Sequence, residues 1–279
     1  MDALQIPPTA GPAGTPGAPP PRKLDAASGV AWWGESWRIF AAAPGTWMGI
    51  VVVFVVVSAL LYFIPAIGGA LQSVLTPVFA GGVMLGCHAL ARGERLTVGH
   101  LFEGFQGGRL RPLLALGLIW IAILVALAVV AVAAAFLALG PSGASTLMAL
   151  VAQPQVDSSM LAPLLDSARL GYIVIAFMVV AMVVLTAILL AAMAYWFAPA
   201  LVVLNGERPV AALRISFDAS MKNFGAFLLY GLISLGLGIA ASIPLGLGWL
   251  VVGPMVAGSC YAGWRTIFGI RGDIAAAKP

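Results

Sequence analysis

Residues 113–139 read LLALGLIWIAILVALAVVAVAAAFLAL and contain neither a charged residue nor a proline. An α-helix needs roughly 20 apolar residues, at about 1.5 Å per residue, to cross the hydrocarbon core of a bilayer. This stretch is long enough, and a helix that is apolar on all sides is typical of a membrane span. Because hydrophobic residues are 62% of the chain and charged residues 9%, the sequence predicts an integral membrane protein.

Five more stretches have a similar length and composition, so the sequence predicts an all-α membrane protein with six transmembrane helices. The predicted spans cover about residues 47–64, 71–90, 113–139, 170–197, 227–243 and 247–266. They belong to one polytopic membrane domain over residues 29–279. Residues 1–28 carry seven prolines among alanine, glycine and threonine. We expect these residues to form a disordered tail, because such a composition buries little apolar surface.

The basic residues are distributed unevenly along the chain. With six spans, Arg169 alone lies on one side of the membrane, and the other Lys and Arg residues lie on the side of the two termini. Cytoplasmic connections of inner-membrane proteins are rich in Lys and Arg. We therefore expect a multi-pass protein of the bacterial inner membrane with both termini in the cytoplasm. We expect the first span to act as its own insertion signal.

The segment just before the first span is too polar to cross the membrane, yet it is amphipathic. Trp33, Trp37 and Phe40 recur at positions i, i+4 and i+7 and therefore share one helical face. Because tryptophan rings prefer the boundary between headgroups and hydrocarbon, we expect this helix to lie in the cytoplasmic interface. Phe102 and Phe105, after the second span, extend the same candidate membrane or partner surface.

A second amphipathic segment follows Pro209, a residue that suits the first turn of a helix. Its apolar stripe includes Leu213, Phe217 and Met221, whereas its charged residues occupy another face. We expect the stripe to sink into the interface while the charges stay in water. The alternative is an ordinary connector that packs against the helix bundle.

Each amphipathic segment leads into a pair of spans, and the two units resemble a parallel internal repeat. The motif P-x-x-A-G begins at Pro77 in one unit and at Pro254 in the other. Both units start on the same side of the membrane, as parallel repeats do. Chance similarity between apolar helices is the alternative. The candidate helix-break and packing residues are Pro65, Gly68, Pro77, Gly81, Gly82, Gly86, Pro254 and Gly258.

Several motifs with Trp, Pro, Gly and Asn stand out from the apolar background. They are G-x-x-W at residues 29–32, IPAIGGALQSVLTPVFAGGVMLGCHALARGE at 64–94, HLFEGF at 100–105, WFAPALV at 196–202 and ALRISFDASMKNFGAF at 212–227. Together they resemble the uncharacterised BPSS-type family of bacterial inner-membrane proteins. This resemblance implies six spans and supplies no activity. More loosely, residues 199–225 resemble a cytoplasmic connector in the membrane domain of some glycerophosphodiester phosphodiesterases.

The chain offers little material for a catalytic or metal site. Its two histidines, His88 and His100, lack the spacing of a zinc-binding pair. Cys87, His88 and Cys260 supply at most three ligands, and successive residues of a helix point in different directions. Every Asp and Glu falls in a predicted loop, tail or surface helix. We therefore predict no enzyme activity, no catalytic, metal or cofactor-binding residue, no cofactor and no nucleic-acid partner.

A scaffold, assembly or lipid-organising factor is the function that this pattern favours. Aromatic and basic residues concentrate on the predicted cytoplasmic face, where anionic lipids attract Lys and Arg. A small-molecule permease or channel, not coupled through intramembrane charges, is the alternative, and an enzyme acting on lipid ranks last. The predicted partners are membrane lipids, with a homodimer or another membrane protein as the alternative.

The distribution of basic residues predicts a topology that reporter fusions can test. Fusions after Gly108, Gly206 and Pro279 should be cytoplasmic, and a fusion after Gln155 should be exported, because the Lys- and Arg-rich connections stay inside. Paired alkaline phosphatase and green fluorescent protein fusions measure both locations. An exported fusion at Gly206 would contradict the six-span arrangement.

Overall fold

The computed structural model describes residues 17–152 and 167–270, and both stretches are helical without a β-strand. Helices α1 to α3 are Ser28–Ala42, Pro44–Tyr62 and Gly68–Ala91, and a 3₁₀ helix follows at Val98–Phe105. Helix α4 is Leu110–Ala152, with non-helical backbone at Gly140, and α5 is Ser167–Tyr195. Helices α6 to α9 are Ala198–Asn205, Pro209–Lys222, Phe224–Ser242 and Trp249–Ile267.

Five helical segments of the described chain are long and apolar enough to cross a membrane. They are Pro44–Tyr62, Gly68–Ala91, Leu110–Leu137, Gly171–Asn205 and Phe224–Ser242. Most of their surface faces outward, as lipid-exposed helices require; the second segment is half buried. The predicted multi-pass helical membrane protein is therefore confirmed, and five of its six predicted spans coincide with these segments.

The sixth predicted span, residues 247–266, coincides with α9, which is not among the five segments. The last third of α9 contains Tyr261, Trp264 and Arg265 instead of an aliphatic run. One face of the helix packs against α1, α2 and α3. Its 19 residues extend about 28 Å at the helical rise. The helix is therefore long enough to cross the membrane, but its composition is not apolar enough to identify it as a span. The sixth span stays a prediction.

Helix α1 lies against α9 and α8 instead of lying free on the membrane surface. The Trp32 indole N–H donates to Thr266 Oγ1 at 2.9 Å, and Arg265 pairs with Glu35 at 2.7 Å. This packing buries Trp33 and Phe40, which are 6% and 5% exposed. The face predicted for the membrane interface is therefore largely turned into the protein.

Residues 17–27 form a non-helical segment held against α7 and α9, although the sequence predicts a tail that is disordered up to residue 28. The side-chain amide of Asn223, which is 2% exposed, accepts from Leu24 N at 2.7 Å and donates to the Arg22 carbonyl at 2.9 Å. Arg22 N also donates to the Ile267 carbonyl at 2.8 Å. These hydrogen bonds hold the segment against the helices, although its composition predicts disorder. The rest of the predicted tail, residues 1–16, lies outside the described residues.

Glycines of α3 bring the 3₁₀ helix and α4 close to its backbone. A Cβ atom on Gly82 would meet the carbonyl oxygens of His100 and Leu101, and one on Gly104 would meet that of Val78. Gly86 and Gly81 are equally closely packed, against Leu96 Cδ1 and Leu113 Cδ1, each within 3.0 Å of an added Cβ. The predicted packing residues Gly82 and Gly86 thus pack against the 3₁₀ helix and the loop before it, not against another span.

The other predicted packing residues lie in turns and helix crossings. Pro65 and Gly68 belong to the tight turn between α2 and α3, where a Cβ on Gly68 would meet the Leu61 carbonyl oxygen. Gly258 of α9 lies beside α1, because its added Cβ would be 2.9 Å from Ser36 Oγ. Small residues therefore set the distances between these elements.

We predict that Gly104→Ala destabilises the protein by about 1–3 kcal/mol, because the new methyl group meets backbone that must move. Gly99→Ala is the matched control in the same 3₁₀ helix, since its Cβ meets only Thr97 Oγ1 at 3.6 Å. Thermal unfolding in mild detergent should show a lower Tm for the first variant alone. Equal Tm values would mean that the α3 contact is looser than described.

Candidate functional site

A cavity of about 650 Å³ lies between α2, α3, α4, α5 and α9. Both P-x-x-A-G motifs contribute to it: Pro77 and Ala80 come from α3, and Pro254 and Ala257 come from α9. Both prolines lie inside continuous helices, and each removes one helical hydrogen bond. The two proline-containing helices face each other across this cavity, which is open on one side, because the lining residues Val55, Thr76 and Trp249 are themselves exposed.

The wall of the cavity is made of aromatic and aliphatic side chains. It includes Trp47 and Phe54 of α2, Phe79 and Met84 of α3, Trp120 of α4 and Val256 of α9. No Asp, Glu, Lys, Arg or His is among the described residues that line it. Such a wall can hold an apolar group but offers no charge to bind or transfer an ion.

Most polar groups of the wall are already hydrogen-bonded within the protein. The Trp47 indole N–H donates to the Ile39 carbonyl at 3.0 Å, and the Tyr195 hydroxyl donates to the Leu116 carbonyl. Thr76 Oγ1 donates to the Gln72 carbonyl of its own helix at 2.7 Å. These groups have little capacity left for a polar ligand, which strengthens the apolar character of the cavity.

The helix break between α5 and α6 shapes one side of this wall and is bridged by side chains. Ser216 Oγ of α7 accepts from Phe197 N at 3.0 Å and donates to the Met193 carbonyl at 2.9 Å. It thereby replaces the interrupted helical hydrogen bond between those two residues. Cys260 Sγ, a cavity-lining group, donates to the Trp196 carbonyl at 3.2 Å. The break is thus stabilised without water.

Helix α7 packs against the bundle, as the connector alternative predicts, and its apolar stripe is only partly covered. Its small residues Ala212, Ser216 and Ala219 are buried against the bundle, which packs α7 as a connector. Leu213 and Phe217 are half-buried, and Met221 is 47% exposed. The predicted apolar stripe therefore borders the packed face and leaves part of its surface available to lipid.

The remaining predicted surface residues differ in exposure. Trp37 is 53% exposed and Phe102 is 36% exposed, so both can reach lipid or a partner. Phe105 is half-buried, because its ring packs edge-on against Phe79 with centroids 5.5 Å apart. These three rings lie on α1 and the 3₁₀ helix, and only the first two are open to the surroundings.

The histidines and cysteines considered as metal ligands are not grouped into a metal site in the described residues. In the two described stretches, no three His, Cys, Asp or Glu side chains converge as metal ligands. His88 Nδ1 instead lies 3.1 Å from the Tyr261 hydroxyl, where α3 and α9 meet. Sequence reasoning missed this partner, because the two residues are 173 positions apart in the chain and no local pattern brings them together.

The sequence comparisons agree with the architecture and give no activity. The chain is 27% identical to a probable inner membrane protein of Burkholderia thailandensis over 273 residues, which cover 89% of this chain and 94% of that protein. No protein-family model matches the chain, and no solved structure matches at a significant level. The predicted resemblance to uncharacterised inner-membrane proteins is confirmed, and the chain is a multi-pass helical protein similar to one of them.

We predict that Phe217→Asp destabilises the protein by about 2 kcal/mol or more, because it places a carboxylate among apolar groups. Asp218→Ala is the control on the neighbouring exposed position and should change stability by less than about 1 kcal/mol. The Tm of each variant is measured in mild detergent from the temperature at which the monodisperse chromatographic peak is lost. A similar loss in both variants would contradict the described orientation of α7.

Proposed function

We propose that this protein is a non-enzymatic, lipid-organising membrane protein that holds a hydrocarbon chain in its apolar cavity. The cavity itself is the observation that carries the proposal. Its volume of about 650 Å³ lies within the range of roughly 300–1,000 Å³ that is usual for ligand sites. A chain from the surrounding bilayer is the apolar ligand present at the highest concentration.

A hydrocarbon chain is favoured over water as the occupant of the cavity. A buried water molecule needs two to four polar partners, whereas most polar groups of the wall are paired within the protein. An empty cavity would leave the wall atoms without dispersion contacts. Since lipid tails are as apolar as the wall, the stabilisation comes from these restored contacts rather than from removal of apolar surface from water.

We propose that α9 is the sixth span and that both termini are cytoplasmic. The length of α9 and the basic residues support this arrangement. Exposed arginines lie at the end of α3, at the start of α4 and on α7, including Arg92, Arg111 and Arg214. In the proposed topology these residues share the face where anionic lipids attract each cation by about 1 kcal/mol. The half-buried stripe of α7 would rest at the same interface.

The parallel internal repeat is a further part of the proposal. Ser36 in α1 and Ser216 in α7 occupy matching positions of the two units, and each donates to a carbonyl of a neighbouring helix, Met255 and Met193 respectively. Pro77 and Pro254, also at matching positions, both line the cavity. Because equivalent residues have the same role in both units, a duplication is favoured over chance similarity.

A small-molecule permease is the second candidate, because the cavity lies between the two proline-containing helices. Alternating-access transporters place their sites between such repeats near the bilayer midplane. A polar solute, however, would have to replace its hydrogen bonds to water with wall groups, most of which are already paired. Lipids remain the proposed partner, and a second copy of the chain is the alternative partner.

We predict that the wild-type protein retains a lipid in mild detergent and that Ala257→Phe reduces this retention at least about tenfold, because the ring fills the cavity. Native mass spectrometry of the purified protein counts the bound lipids and identifies their class. Ala80→Leu repeats the test from the opposite wall with a smaller side chain.

Ala240→Phe is the matched control, because Ala240 is exposed on α8 and does not line the cavity. It should leave lipid retention unchanged. Retention that is equal in Ala257→Phe and in this control would place the lipid outside the cavity. Binding of a polar solute that Ala257→Phe abolishes would favour the permease.

A further inference from the structure

Two buried polar atoms near the turn between α2 and α3 have no hydrogen-bond partner among the described residues. They are Ser58 Oγ of α2 and Gln72 Oε1 of α3, and Gln72 is 8% exposed. Trp33 Nε1 of α1 is the third such atom within residues 17–152 and 167–270. A buried polar group without a partner destabilises a fold, so two of them on neighbouring helices require an explanation.

Ser58 differs from other hydroxyl-bearing residues of these helices. Ser73, Thr76 and Ser234 each donate to the carbonyl four residues earlier in their own helix. A serine or threonine inside a helix commonly satisfies its hydroxyl in this way. Ser58 makes no such bond, so its hydroxyl can pair with a group from outside the helix.

Both residues continue the helix faces that line the cavity. On α2 the lining residues end at Val55, and Ser58 follows one turn later. On α3 the lining residues begin at Thr76, and Gln72 precedes it by one turn on the same face. Val55 and Thr76 are exposed at the open side of the cavity. Ser58 and Gln72, here called the mouth residues, therefore lie next to this opening.

Contacts on either side of the mouth residues show that the two faces meet. On the cavity side, the rings of Phe54 and Phe79 pack edge-on with centroids 5.6 Å apart. On the side of the turn, a Cβ on Gly68 would meet the Leu61 carbonyl oxygen. The mouth residues lie between these two contacts along both helices, so their side chains belong to the same α2–α3 seam.

The mouth residues lie close to one surface of the membrane. Ser58 is four residues before the end of α2, and Gln72 is four residues after the start of α3. At about 1.5 Å per residue, both lie roughly 6 Å from the helix ends. From this level the cavity wall continues along α2 to Trp47, about 16 Å deeper. A lipid whose chain follows this wall would place its polar end at the mouth residues.

We propose that the mouth residues bind the hydroxyl group of a lipid whose chain occupies the cavity. Gln72 Oε1 can only accept a hydrogen bond, so its partner must donate one. The Ser58 hydroxyl can donate in return. A hydroxyl group of the ligand satisfies both residues, because it donates to Gln72 and accepts from Ser58.

This inference rests on the proposed function, because it names the class of lipid that the same cavity holds. It favours a lipid with a free hydroxyl next to its chain, such as a long-chain alcohol or a monoacylglycerol. An ether, an ester or a carboxylate only accepts and would leave Gln72 Oε1 without a donor. Since both atoms are buried, the Ser58 and Gln72 side chains must rotate toward the opening when the ligand binds. Hydrogen bonds formed there are largely shielded from water, which strengthens them.

Equilibrium quenching of tryptophan fluorescence in mild detergent compares two matched ligands. One is a long-chain alcohol brominated in mid-chain, and the other is its methyl ether, which keeps the oxygen acceptor but lacks the O–H donor. Either ligand quenches Trp47, Trp120 and Trp196 when its chain lies in the cavity that these residues line. The part of the quenching that Ala257→Phe removes measures occupancy of the cavity.

The wild-type protein should bind the alcohol about threefold to tenfold more tightly than the ether, as expected for one hydrogen bond. Gln72→Leu should abolish this preference, because leucine removes the acceptor at a similar size. Ser58→Ala should weaken binding of the alcohol by a similar factor. Ser73→Ala is the matched control, because Ser73 is next to Gln72 but donates to the Gly69 carbonyl at 2.9 Å. It should leave both affinities unchanged.

The outcomes separate the hydroxyl site from the cavity itself. If both ligands bind wild type equally and Ala257→Phe removes both signals, the hydroxyl site is wrong and the cavity site stands. A preference for the alcohol that persists in Gln72→Leu also contradicts the hydroxyl site. If Gln72→Leu fails to fold, Ser58→Ala decides, and unchanged binding of the alcohol contradicts the proposal. If neither ligand gives a signal that Ala257→Phe removes, the chain does not occupy the cavity, and both proposals are overturned.

Discussion

Backbone N–H and C=O groups inside a bilayer must find hydrogen-bond partners within the protein, because hydrocarbon supplies none. This constraint is most demanding where helices are interrupted. At the break between α5 and α6, Ser216 pairs with both Met193 and Phe197, and Cys260 pairs with Trp196. The amphipathic helix α7 is thereby tied to the interior, and its small residues are buried because a serine hydroxyl must reach the break.

The same pairing explains why the cavity is apolar. Pro77 of α3 and Pro254 of α9 line the cavity, and several side chains that could have made it polar are engaged elsewhere. Trp47 and Tyr195 direct their donors to carbonyls of Ile39 and Leu116. What remains exposed to the cavity is hydrocarbon-like surface, which matches a lipid chain better than water or a hydrated solute.

Hydropathy predicted the five candidate spans well, because each is a continuous apolar run whose length the bilayer dictates. It predicted α9 less securely, since Tyr261, Trp264 and Arg265 serve packing and pairing there. Periodicity placed Trp33, Trp37 and Phe40 on one face but could not tell that protein would cover it. The proline and glycine positions were evident from the sequence, whereas the cavity depends on contacts between α2, α3, α4, α5 and α9 that no local pattern contains.

The central claim is that a lipid chain occupies the space between Pro77 and Pro254. A cryo-electron microscopy map of the protein in lipid nanodiscs, at a resolution that separates side chains, would test it most directly. The account predicts an elongated density that contacts Phe54, Met84 and Cys260 in the cavity. A cavity that contains only separate water-sized densities, or walls that meet each other without a gap, would contradict it.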